Sequence, residues 1–132
     1  RTRMDYRRIS IQAEADAFLA RYGGFHDGIV VSVEYRTDVQ MAKRGAEGAT
    51  ELILGILARS LSPAPVVEIA FHGVADWNLR KGQRIELFGA LIDIVPNGIV
   101  TFADCHTTEW EVMQDRTFVR AAMMEWREAE EK

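Results

Sequence analysis

The chain has 132 residues, of which 48% are hydrophobic and 27% charged, and its net charge is −4. That length and composition suffice for one core without disulfide or metal staples, so residues 1–132 are expected to form a single domain. The 16 basic residues are scattered apart from Arg1, Arg3, Arg7 and Arg8, and this excludes bulk nucleic-acid binding as the main role.

A lone cysteine, Cys105, cannot close an intrachain disulfide, which suits a reducing compartment and points to the cytoplasm. No membrane partner is expected, because the longest stretch that could mimic a span, Leu52 to Ala58, falls far short of the roughly 20 apolar residues a bilayer requires. The basic start runs into an amphipathic segment rather than the apolar core of a signal peptide. The sequence does not begin with Met, so Arg1 to Arg3 are expected to be foreign residues before Met4 or the true start to be missing, and residues 1–8 as a whole are expected to be disordered or foreign to the native start.

In chain order, Ile11, Ala15, Phe18, Leu19 and Tyr22 form one helical stripe, with Ser10 placed to cap its start and Gly23-Gly24 to end it. From Phe25 the period becomes two, with Phe25, Ile29, Val31, Val33 and Tyr35 on one face of a half-buried strand. The polar residues 37–50 read as a long flexible hairpin loop. Glu51 to Arg59 is apolar on both faces and predicts a central strand.

After the Ser62-Pro63-Ala64-Pro65 break, Val66 to Phe71 predicts a third strand, and Asp76 to Leu79 a turn. Strands over Ile85 to Ile94 and Ile99 to Cys105 are joined by Val95-Pro96-Asn97-Gly98, in which Gly98 would supply the positive φ. Trp110 to Met113 predicts a further short strand. Phe118, Val119, Ala122, Met123 and Trp126 then space as a helix behind Asp115; the competing assignment is a strand from Thr117 to Met124 pairing back on Trp110 to Met113. The expected architecture is α+β: one antiparallel sheet of five to six strands carrying an N-terminal and a C-terminal helix.

Chemistry is to be sought first at the histidines, which stand at strand ends. If those ends converged, His26, Asp27, His72, Asp104, Cys105 and His106 would offer donors for Zn²⁺ or a similar divalent metal, although no spacing demands it. The plainer alternative has Asp27 and Asp104 satisfying local N–H groups, the histidines at a wet sheet edge, and Cys105 in the core. Neighbours on a strand diverge, which argues against Cys105 and His106 as a nucleophile pair and leaves open a pairing of Cys105 with His26 or His72 across the sheet; no phosphate, dinucleotide or serine-nucleophile motif is present. Trp77 and Trp110, the latter between Glu109 and Glu111, suit a protein-binding patch facing a basic partner.

Phe25-His26-Asp27-Gly28 opening a strand, followed by Val66 to Val74 as V-V-E-I-A-F-H-G-V, resembles a pattern in small bacterial α+β proteins, some of them toxin-immunity proteins. The resemblance covers about a dozen residues and implies a stoichiometric binder without catalysis, needing no cofactor. A non-catalytic interaction domain, an immunity-type binder or oligomeric scaffold, is therefore expected, with a metal-dependent enzyme as the alternative. Exposed edges in so short and strand-rich a chain also predict a homodimer.

Overall fold

The computed structural model of the chain describes residues 5–38, residue 43 and residues 50–129. The predicted loop over residues 37–50 lies mostly outside them. The elements are β1 (Arg7–Ile9), α1 (Gln12–Arg21), a 3₁₀ turn (Gly23–Phe25), β2 (Ile29–Thr37), β3 (Thr50–Leu57), β4 (Val66–Asn78), β5 (Ile85–Glu86), β6 (Leu91–Ile94), β7 (Val100–Ala103), α2 (Trp110–Met113) and β8 (Phe118–Glu128). All the strand pairs are antiparallel, in the order β5-β2-β3-β4-β8-β7-β6 with β1 also on β8, and the sheet curls into a half-barrel. The class is α+β as expected, but the sheet is larger than five to six strands. Arg7–Ile9 and Ile85–Glu86 are too short to register as periodic segments, and the predicted strand over Ile85 to Ile94 breaks at Leu87–Ala90.

α1 starts one residue later than Ser10 would place it. The Glu14 carboxylate accepts from the N–H groups of Ser10 and Ile11 at 2.9 and 3.2 Å, capping the helix from inside. Ala15, Phe18 and Tyr22 are buried against the sheet. Gly23 and Gly24 end the helix at φ 61° and 65°, and the left-handed run continues through Phe25 at φ 56°. The first long strand therefore begins at Ile29 and not at Phe25. A phenylalanine pays a steric penalty at positive φ; here burial offsets it, with Phe25 stacked on Tyr22 at 5.5 Å and tilted on Phe18 at 5.5 Å.

β3 is central, as its two-sided apolar pattern predicts: Leu52, Leu54 and Ile56 face the core beside Val67, Ile69 and Phe71 of β4, while Ile53 is buried on the opposite face. β4 runs on through the predicted turn at Asp76 to Leu79. Gly73 at φ 66° and a register shift between Val74 and Asp76 bend it enough to follow β8 as far as Asn78. The predicted turn after Val95 forms, with Gly98 N donating to Val95 O at 2.9 Å, but Asn97 rather than Gly98 carries the positive φ, 56°.

The predicted C-terminal helix is a strand. Val119 and Ala121 are buried at a spacing of two, and so are Met124 and Trp126, but the two runs are offset by one residue at Ala122 and Met123. That offset reproduces the three-to-four spacing of a helix face. β8 gains ladders to β4 on one side and to β7 and β1 on the other, and this outweighs the helix propensity of Ala-Ala-Met-Met-Glu.

Tyr22 links α1 to the end of β8. Its hydroxyl donates to Glu128 Oε2 at 2.6 Å, and burial, then that hydrogen bond, push its pKa from 10 up to about 12. The folded chain thus favours the neutral phenol; the stability this lends is whole below pH 10 and is lost as the pH rises towards 12. Urea unfolding at about pH 9 and about pH 11 should show a loss for the parent chain that Tyr22→Phe reduces by up to about 1.4 kcal/mol per pH unit.

Candidate functional site

The three histidines stand at three separate places. His26 and Asp27 sit on the tip of the left-handed turn, with His26 Nδ1 3.2 Å from Asp27 Oδ2 and both side chains about two-thirds exposed. His72 is on the face of the sheet opposite α1, and His106 is exposed beyond β7. Among the described residues no group of three or more His, Cys, Asp or Glu side chains stands where it could hold a metal ion.

His72 is held between two carboxylates that the sequence reading did not single out. Its Nδ1 lies 3.1 Å from Glu51 Oε2 and its Nε2 3.0 Å from Glu125 Oε1, while Arg36 reaches Glu51 at 3.4 Å. Strand register builds the row, since Arg36 pairs with Glu51 and Glu51 with His72. Only the doubly protonated ring donates to both carboxylates. The row is a cross-strand tie beside a cleft of about 460 Å³ lined by Asp5, Tyr6, Arg36, Glu51, Ile53, Ala70 and Glu125.

Asp104 and Cys105 are both buried, and they behave differently. Cys105 packs with Ala103, Met113 and Phe118, as a small core residue does. Asp104 Oδ1 accepts from the N–H groups of Phe88 and Gly89 at 2.8 and 3.0 Å, whereas its buried Oδ2 has no hydrogen-bond partner among the described residues. On either side, Leu87 N donates to Gly28 O at 2.8 Å and Ala90 N to Gly24 O at 2.7 Å. Four consecutive N–H groups, from Leu87 to Ala90, are thereby fixed.

That rigid segment lifts Phe88 into solvent at 59% exposure while Leu87 goes into the core. Arg80 lies over the Phe88 ring at 5.8 Å. Two clefts meet at this ring: one of about 210 Å³ lined by Arg80, Lys81, Arg84, Glu86 and Phe88, and one of about 450 Å³ that includes Asp104, His106 and Arg116. Glu86 is paired with Arg84 at 2.6 Å, so the rim is net basic. Asp104→Ala should free Phe88 and Gly89 N–H, raising their hydrogen-exchange rates at least about tenfold, because hydrogen bonds to a charged acceptor are worth about 1.5–3 kcal/mol each. Unchanged exchange at both amides would mean that Asp104 does not hold the segment.

The predicted strand over Trp110 to Met113 is the short helix α2. Met113 N donates to Glu109 O at 2.9 Å, and Met113 turns into the Cys105 cluster, so Glu109 and Glu111 do not share a strand face. Both are exposed, and Trp110 is 45% exposed with its ring edge-on to Phe118 at 5.7 Å. Trp77, 37% exposed, stacks instead on Tyr35 at 5.7 Å. The structure therefore assigns Trp77 and Trp110 to separate ring pairs. Phe88 itself escaped the sequence reading; the signal available was Leu87-Phe88-Gly89, where two bulky neighbours and a glycine interrupt an alternating run.

Comparison of the chain with family models, with curated proteins and with solved structures gives no match.

Proposed function

We propose that this chain is a non-catalytic protein-interaction domain that takes an acidic protein partner on the surface around Phe88. The observation that carries this reading is a large aromatic side chain held in solvent by a segment whose N–H groups are all bonded, beside Arg80, Lys81, Arg84 and Arg116. Phe88 belongs to neither hydrophobic core cluster and carries the Arg80 guanidinium over its ring, and aromatic and arginine side chains on a preorganised backbone are what interface anchors consist of. Trp110 and Trp77 each lean on another ring, so packing already accounts for part of their surface. The resemblance carried by Phe25–Gly28 and Val66–Val74 supports the same class of protein, an immunity-type binder.

The test uses two peptides of equal length, one rich in glutamate and one rich in lysine, titrated into ¹⁵N-labelled protein. Amide shifts at Arg84 to Ala90 with the acidic peptide, weakened by salt and lost in Arg80→Glu with Arg84→Glu, are expected. Response to the basic peptide instead, no response, or tighter binding of a single-stranded oligonucleotide overturns the reading. So does near-stoichiometric zinc in protein purified without chelator if the His26→Ala, His72→Ala double variant loses it.

A further inference from the structure

The two ends of the sheet are finished differently. On the β6 edge the Gln12 side chain acts as a surrogate strand, its Nε2 donating to Ile92 O at 2.7 Å and its Oε1 accepting from Ile94 N at 3.0 Å. At the other end β5 pairs only with Ile29 and Val30. Among the described residues no strand lies outside Val31 to Thr37, and all seven of them are exposed. A free edge of this length is a template for strand addition unless charges, proline, a bulge or a covering segment blunts it; here the blunting features are a register shift between Val30 and Ser32 and the charges of Glu34 and Arg36, which an edge of matching charge order would satisfy.

We propose that the β2 edge pairs with the β2 edge of a second copy of this chain, antiparallel, about a two-fold axis through Tyr35. A continuous sheet across such an axis, perpendicular to the sheet, can be centred only on a residue, because opposed side chains must share a face. Centring on Glu34 or Arg36 sets like charges directly opposite each other, and centring on Val33 leaves Glu34 and Arg36, which are 3.5 Å apart within their own chain, without a charged partner on the second copy. Centring on Tyr35 sets Glu34 against Arg36 of the second copy and Arg36 against its Glu34, a self-complementary pair of cross-strand ion pairs. It also brings together the exposed apolar surface on the other face, where Tyr35 is 50% and Val33 41% exposed and Tyr35 already stacks on Trp77. The two Tyr35–Trp77 stacks then meet across the axis. The charge alternation therefore argues for a second copy rather than an unrelated strand. Phe88 is not part of this edge, so the dimer and the Phe88 surface can fail independently.

Sedimentation of the whole chain from about 1 to about 500 µM should show a monomer–dimer equilibrium. Glu34→Arg sets cation against cation twice and should raise the dimer dissociation constant at least about tenfold. The double variant Glu34→Arg, Arg36→Glu restores opposite charges and should recover most of that loss, a result that mere destabilisation of the fold would not give. Oxidation of Tyr35→Cys should cross-link two chains, whereas Val33→Cys, opposed to Thr37 of the second copy, should not. A monomeric mass throughout the range, dimerisation indifferent to Glu34→Arg, no recovery in the double variant, or cross-linking through Val33→Cys but not Tyr35→Cys overturns the proposal.

Discussion

Trp126→Ala should cost about 3–5 kcal/mol, the largest loss expected from a single change in this chain, and lower the melting temperature by about 10–20 °C. Trp126 lies on β8, 8% exposed, where its indole fills the space between the sheet and α1. Phe18 sits 4.9 Å from it and Tyr22 meets it edge-on at 5.7 Å, while the guanidinium groups of Arg7 and Arg21 lie over it at 5.4 and 5.7 Å. Removing the indole opens a cavity that rigid neighbours cannot fill, since β8 is hydrogen-bonded on both sides at this level, to Ile69 on β4 and Arg7 on β1. Trp126→Phe keeps an aromatic ring in the cluster and should lose less than half as much. Urea unfolding of the two variants measures both values; a loss below about 1 kcal/mol for Trp126→Ala would show that α1 does not depend on this residue.

The second large effect is expected at Gly28. A Cβ there would lie 2.9 Å from Phe25 O, 3.3 Å from Ile56 Cγ2 and 3.4 Å from Leu57 O. Two of the three obstacles are backbone carbonyls, which cannot turn aside as a side chain can. Gly28→Ala should therefore cost about 2–3 kcal/mol through overpacking. Gly24→Ala makes the useful comparison: nothing lies within 4 Å of its Cβ, and only the left-handed φ of 65° opposes it, at about 1–2 kcal/mol. Thermal melts of both variants would separate crowding from backbone strain. Equal losses would mean that the turn relaxes around a Cβ at Gly28.

These residues also explain what Phe25-His26-Asp27-Gly28 does within the fold. Phe25 anchors the turn in the core, Gly28 lets it pass close to β3, and Gly28 O and Gly24 O accept from Leu87 and Ala90. The turn thus helps hold the segment that presents Phe88. His26 and Asp27, the chemically conspicuous members of the motif, are left at its exposed tip.

Where burial follows a simple period, the sequence was legible. α1 and its glycine ending, the central position of β3, the hairpin at Val95–Gly98 and the core placement of Cys105 all come from local pattern. Two-sided apolar runs, glycine pairs and Pro-Asn turns mean much the same in any surroundings. Legibility failed where a strand changes face midway. In β8 the offset at Ala122 and Met123 imitates a helix, and in β4 Gly73 and the bulge at Val74 imitate a chain end.

By itself, then, the amino-acid order determined the fold class, a single antiparallel sheet under an N-terminal helix, because each of those features is decided by residues within a few positions of one another. Only the tertiary structure decided what the polar groups do. His72 lies between Glu51 and Glu125, Asp104 under Phe88 and Gly89, and Gln12 along the β6 edge, each meeting a partner between 15 and 82 positions away in the chain. Register and sheet curvature set those meetings. Both are properties of the packed sheet as a whole, and no local run of side chains encodes them.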